Sequence, residues 1–92
     1  MPRESAFSGD VMDVLGQLFE KGATALDDGD GDTAAQILTS AETVATNKLP
    51  NGEFRSTLLD GCERALAALD DGSFGRAADR CHTLALEVDA RR

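Results

Sequence analysis

The chain has no tryptophan and no tyrosine, and its four phenylalanines are scattered. It therefore lacks the row of aromatic faces on which single-stranded bases stack. Lysine is nearly missing as well: nine basic residues stand against seventeen acidic ones, a net charge of −8. A nucleic-acid backbone is held by clustered Lys and Arg, so this balance argues against DNA or RNA as a partner. The same deficit argues against anionic membrane surfaces. No apolar run approaches the ~18 residues of a membrane span. The opening "MPRESAFSGD" has no apolar leader core, and the expectation is a soluble, cytoplasmic protein. Two cysteines without a CxxC pair and a single histidine do not make a zinc site. No cofactor and no metal are expected.

What is present is acid of one kind on a light apolar frame. Eleven of the acidic residues are Asp, and Ala and Leu carry most of the apolar volume. Asp-rich, Lys-poor composition of this sort resembles that of small proteins from salt-loving archaea. There the Debye length falls to ~3 Å or less and crowded carboxylates stop repelling one another. An ordinary acidic protein from a GC-rich bacterium is the other reading.

The 92 residues make one domain with four stretches of helical periodicity. Val11, Val14, Leu15, Leu18, Gly22, Ala25 and Leu26 share one face over about 9–27. In the second, about 31–47, Ala34, Leu38, Ala41 and Ala45 are central, flanked by Ile37 and Val44. The third, about 52–70, carries Phe54, Leu58, Cys62, Ala65 and Leu69; the fourth, about 74–89, carries Ala77, Ala78, Cys81, Leu84, Ala85 and Val88. Ser8, Asp30, Asn51 and Ser73 are placed to cap the helix starts. "NKLPNGEF" is the one clear break.

The chain also repeats. A shift of 43 residues lays "ALDDGDGDTAA" (25–35) on "ALDDGSFGRAA" (68–78), with seven of eleven positions identical. The expectation is an all-α domain over 1–92: one antiparallel helical hairpin at 9–47, a linker at 48–51, a second hairpin at 52–89, the two packed as a four-helix bundle.

The repeat decides how to read the four aspartates of "DDGDGD". From Asp28, Asp30 and Asp32 match the acids of a calcium loop. Position 6, which should be Gly, is Thr33, and position 12, which should be Glu, is Thr39. The second hairpin makes the same turn as "DDGSFG" with two fewer acids. We therefore expect helix-to-helix turns, with Gly29 and Gly72 ending one helix and Asp30 and Ser73 capping the next. A divalent-cation-responsive module using Asp28, Asp30 and Asp32 is the alternative.

Gly72-Ser73-Phe74-Gly75-Arg76-Ala77 resembles the G-x-aromatic-x-x-A turn of tetratricopeptide-like helical repeats. The first hairpin keeps Gly29 and Ala34 but has Gly31 at the aromatic position. The first helix of each pair lacks that family's Trp and Leu-Gly signals, and the spacing of 43 departs from its 34. The resemblance implies a helix-pair protein used for protein contacts.

His82 in "CHTLAL" is similar to the core of histidine phosphotransfer domains, but Ala85 and Leu86 replace the Lys and Gly of that motif. Arg76 and His82 have the loose Arg-to-His spacing of HEPN-type ribonucleases, without the usual polar residue after the Arg. No nucleophile, base and acid can be assembled around His82, and no catalytic residue is expected. Cys62 and Cys81 fall at one level of the second hairpin, where the first has Phe19 and Leu38. They are expected as reduced core thiols.

On a helical wheel Leu59 and Leu66 fall about 120–140° from Phe54, and Leu86 about 140° from Cys81. All three lie off the core stripe, and Met12 widens the stripe of the first helix. Met12, Leu59, Leu66 and Leu86 are therefore the expected interface of a small non-catalytic binding or adaptor module, with a protein partner or in a homodimer. A HEPN-type ribonuclease or phosphotransfer-like protein using His82 is the runner-up.

Overall fold

A computed structural model describes residues 9–91. They form α1 (Gly9–Asp27), α2 (Gly31–Lys48), α3 (Glu53–Asp70) and α4 (Phe74–Ala90), with no strand among the described residues. Each helix is within about a residue of the range its periodicity predicts. The helices pack α1 on α2, α2 on α3, α3 on α4 and α4 back on α1. This is an all-α four-helix bundle of two hairpins, each helix lying between two antiparallel neighbours.

The backbone hydrogen bonds of the two turns obey the 43-residue repeat. Gly29 and Gly72 both sit at φ 78°, left-handed backbone that any side chain would strain. Gly29 N–H donates to the Leu26 carbonyl at 3.0 Å and Asp30 N–H to that of Ala25 at 2.8 Å. Gly72 N–H donates to Leu69 at 2.9 Å and Ser73 N–H to Ala68 at 2.8 Å. These paired bonds satisfy the last carbonyls of α1 and α3 and stop both helices in the same way. The caps then differ. Asp30 accepts from Thr33 N–H at 3.1 Å, whereas the Ser73 side chain makes no capping bond. The cap of α3 is Gly52 rather than Asn51, whose side-chain oxygen instead accepts from Arg55. Ser8 lies outside the described residues.

The core is built mainly from the expected stripes. Ala34, Leu38, Ala41 and Ala45 are fully buried, as are Leu58, Cys62, Ala65, Ala77, Cys81 and Val88. Both cysteines are free and buried, at the level where Phe19 and Leu38 fill the first hairpin. Two readings need correction on α1. Val14 is 45 % exposed, and Met12, placed by the sequence in an interface, is 2 % exposed and belongs to the core. Each helix of this bundle touches two neighbours, and α1 buries a wide stripe that includes Met12, Phe19 and Ala23 and leaves its Val14 edge outside. Leu49, read as linker, is also buried, at the end of α2.

Candidate functional site

The 43-residue repeat relates the α1–α4 seam to the α3–α2 seam, yet the first is extensive and the second sparse. Side-chain volume explains this. Along α1 the seam positions hold Gly16 and Ala23, both buried; a shift of 43 puts Leu59 and Leu66 there on α3. Across the seam α4 offers Ala85, and α2 offers Glu42 at the equivalent place. Small residues let α1 and α4 approach, as close helix packing requires. At these places α3 and α2 carry Leu59, Leu66 and Glu42, all half-buried.

The gap opens toward the turns as a groove of about 630 Å³. Leu66, Leu69, Phe74 and Ala35 make its apolar floor, Asp32 and Asp70 its rim, and Gly31 and Ala67 complete it. Leu66, Leu69 and Phe74 are half-buried, packed on the core from one side only. Among the described residues no lysine or arginine lines the groove. Further along the seam, Glu42 from α2 and Glu63 from α3 both act on Cys62. Burial pushes that thiol up to about 12, and the two carboxylates, with Cys81, add to the effect. Cys81 rises to about 11 through burial alone. Asp32, Glu42, Glu63 and Asp70 form no ion pair among the described residues. Arg55 stands only at the far end, where it donates to the Thr46 carbonyl at 3.2 Å and to Asn51.

A smaller groove of about 310 Å³ lies between α1 and α2, lined by Asp10, Val11, Val14, Val44 and Lys48. In the second hairpin the equivalents of Val11 and Lys48 are Phe54 and Arg91. Arg91 lies 4.9 Å from the Phe54 ring centroid and 3.8 Å from Glu87, and so covers the position that the first hairpin leaves open.

The structure separates the other sequence candidates. Leu59 and Leu66 are not free surface leucines; both are half-buried walls of the seam. Leu86 is 67 % exposed on the outer side of α4, apart from them. Of the four residues expected as an interface, Met12 is buried, Leu59 and Leu66 are half-buried and Leu86 is exposed. Arg76 and His82 are both exposed, and six residues apart on one helix they point about 120° from each other. Neither lines either groove. Asp28, Asp30 and Asp32 are exposed, and among the described residues no group of three or more acids, histidines or cysteines is arranged to hold a metal ion. The Asp30 carboxyl is held below its ordinary range by its bonds from Thr33, a capping role. No described helix is long and apolar enough to cross a membrane.

The groove itself was not foreseen. Its signal was available in the repeat: size and charge differ at paired positions, Gly16 against Leu59, Ala23 against Leu66, Ala85 against Glu42. Conservation between the halves draws attention to the turns, while the differences between them locate the site.

The chain belongs to a family described as a domain of unknown function, DUF8101, which matches residues 1–85. No curated protein and no solved structure matches it.

Proposed function

We propose that this protein is a small non-catalytic binding or adaptor module that acts through its helix faces. The observation that carries this reading is the groove at the turn end of α2 and α3, where Leu66, Leu69 and Phe74 stay half-buried. A bundle that needed only to fold gains by closing such a seam, as α1 and α4 do. The separation of Arg76 from His82, both solvent-facing, lends no support to the ribonuclease or phosphotransfer reading. The likeness of each hairpin to tetratricopeptide-like pairs points the same way as the seam. The partner is another protein or a second copy of the chain, met in the cytoplasm, and the Asp-rich surface suits a salt-rich one.

The test is a purified reconstitution. A protein recovered with this chain from its source, then purified, binds wild type and loses at least tenfold in affinity for Ala67→Arg, a change at an exposed residue of the groove. Self-association at the seam would appear as a dimer mass that the same change returns to a monomer. Binding indifferent to Ala67→Arg, or RNA hydrolysis abolished by His82→Ala, would overturn the reading.

A further inference from the structure

We infer that the α2–α3 seam receives a basic amphipathic helix from a partner protein, its apolar side chains in the groove and its lysines or arginines against the seam's carboxylates. This deepens the reading above and rests on it. Three observations select the occupant.

The first is shape. The groove lies between the first turn of α2, the last turn of α3 and the start of α4, and Ala35, Leu66, Leu69 and Phe74 are its apolar lining. An amphipathic helix fills such a groove with anchors at three- and four-residue spacing. At about 630 Å³ it has room for more than one anchor.

The second is charge. Asp32 and Asp70 line the groove, and Glu42, on the same helix as Asp32, is half-buried. None of the three makes an ion pair among the described residues. A cationic helix meets complementary potential from both walls, whereas an acidic or lipid surface meets repulsion.

The third comes from the repeat. At the positions of Asp32 and Glu42 the second hairpin has Gly75 and Ala85. α2 carries acid at two positions where α4 carries small neutral residues, Gly75 exposed and Ala85 buried. Glu42 is only half exposed, a place where an unpaired carboxylate gains from a partner's cation. Charges brought together in a partly desolvated groove are also less screened than surface charges, so the recognition survives higher salt.

The experiment uses the whole chain and three synthetic amphipathic helices of about fourteen residues, alike in their leucines. Their polar positions are lysine, glutamine or glutamate. Binding is followed by backbone amide NMR at low and at molar KCl. The expected result is that the lysine helix shifts the amides of Asp32, Ala35, Leu66, Ala67 and Asp70, with at least tenfold higher affinity than the glutamine helix and no binding of the glutamate helix. Ala67→Arg should cost at least tenfold, and Asp32→Asn with Asp70→Asn likewise. Two controls of matched charge at exposed sites away from the seam, Thr83→Arg and Asp10→Asn with Asp79→Asn, should leave the affinity within twofold. If the glutamine helix occupies the groove as tightly as the lysine helix, the basic-partner inference falls while the binding-module reading stands. If no helix shifts the groove amides, both fall. If the controls weaken binding as much as the groove changes do, the attraction is to net charge and the inference is overturned.

Discussion

Leu84 of α4 occupies the space that a side chain on Gly61 of α3 would need. A Cβ at Gly61 would lie 3.1 Å from Leu84 Cγ and 3.3 Å from Cδ1, and closer still to Cδ2. In the first hairpin the equivalent positions are Leu18 and Ala41. The two hairpins fill the same contact with the large and small partners exchanged. Gly61→Ala should therefore destabilise by about 1–3 kcal/mol through overpacking, partly offset by about 1 kcal/mol of helix propensity. Denaturant unfolding of Gly61→Leu, Leu84→Ala and the double variant should show a favourable coupling of about 0.5–3 kcal/mol. Additive effects would deny the exchange. Gly75→Ala, with nothing within 4 Å of the added carbon, serves as the contrast and should stabilise slightly.

The turns separate a working cap from an idle one. Asp30→Ala removes the bond to Thr33 N–H and should lower the melting temperature. Ser73→Ala removes a hydroxyl that makes no capping bond and should leave it unchanged. Asp28→Asn with Asp32→Asn should not lower stability, because only crowded charge is lost. Equal losses for Asp30→Ala and Ser73→Ala, seen by circular dichroism, would contradict the caps described.

Stability should rise with salt. Asp27, Asp28, Asp70 and Asp71 stand at the carbonyl ends of α1 and α3, and neither helix has a basic residue in its last turn. Negative charge there opposes the helix dipole, and the two turns lie at one end of the bundle with Asp30 and Asp32. The melting temperature should climb between about 0.1 and 2 M KCl as screening acts. A flat response would remove the basis for the salt-adapted reading.

The buried thiols predict a pH window. Folding raises Cys62 to about 12 and Cys81 to about 11 from 9.0, so the native state holds these protons more tightly than the unfolded chain. Their contribution is complete below pH 9 and is lost as pH climbs from there through the folded-state values. Equilibrium unfolding should show no loss from this source at neutral pH and a decline above pH 9, absent in Cys62→Ala with Cys81→Ala. Iodoacetamide should label the native protein only at the rate at which it opens. Fast labelling at pH 7 would show that the thiols are accessible.

Much of this protein is dictated locally. Periodicity placed the four helices because apolar residues at three- and four-residue spacing can be buried in only one way. Gly29 and Gly72 marked the turns because few other residues tolerate φ 78°. The repeat carried both to the second hairpin. The all-Ala and Leu stripe of α2 was legible for the same reason, and the α4 stripe equally. What the local pattern could not decide was which flank of a helix meets a neighbour. Met12 and Leu59 both look like stripe edges on a wheel. Met12 is buried on α1 beside the small, buried Gly16 and Ala23, whereas Leu59 on α3, where the repeat puts a leucine for that glycine, is half-open. That outcome depends on the volumes of residues on two helices at once, and only the packed bundle brings them face to face.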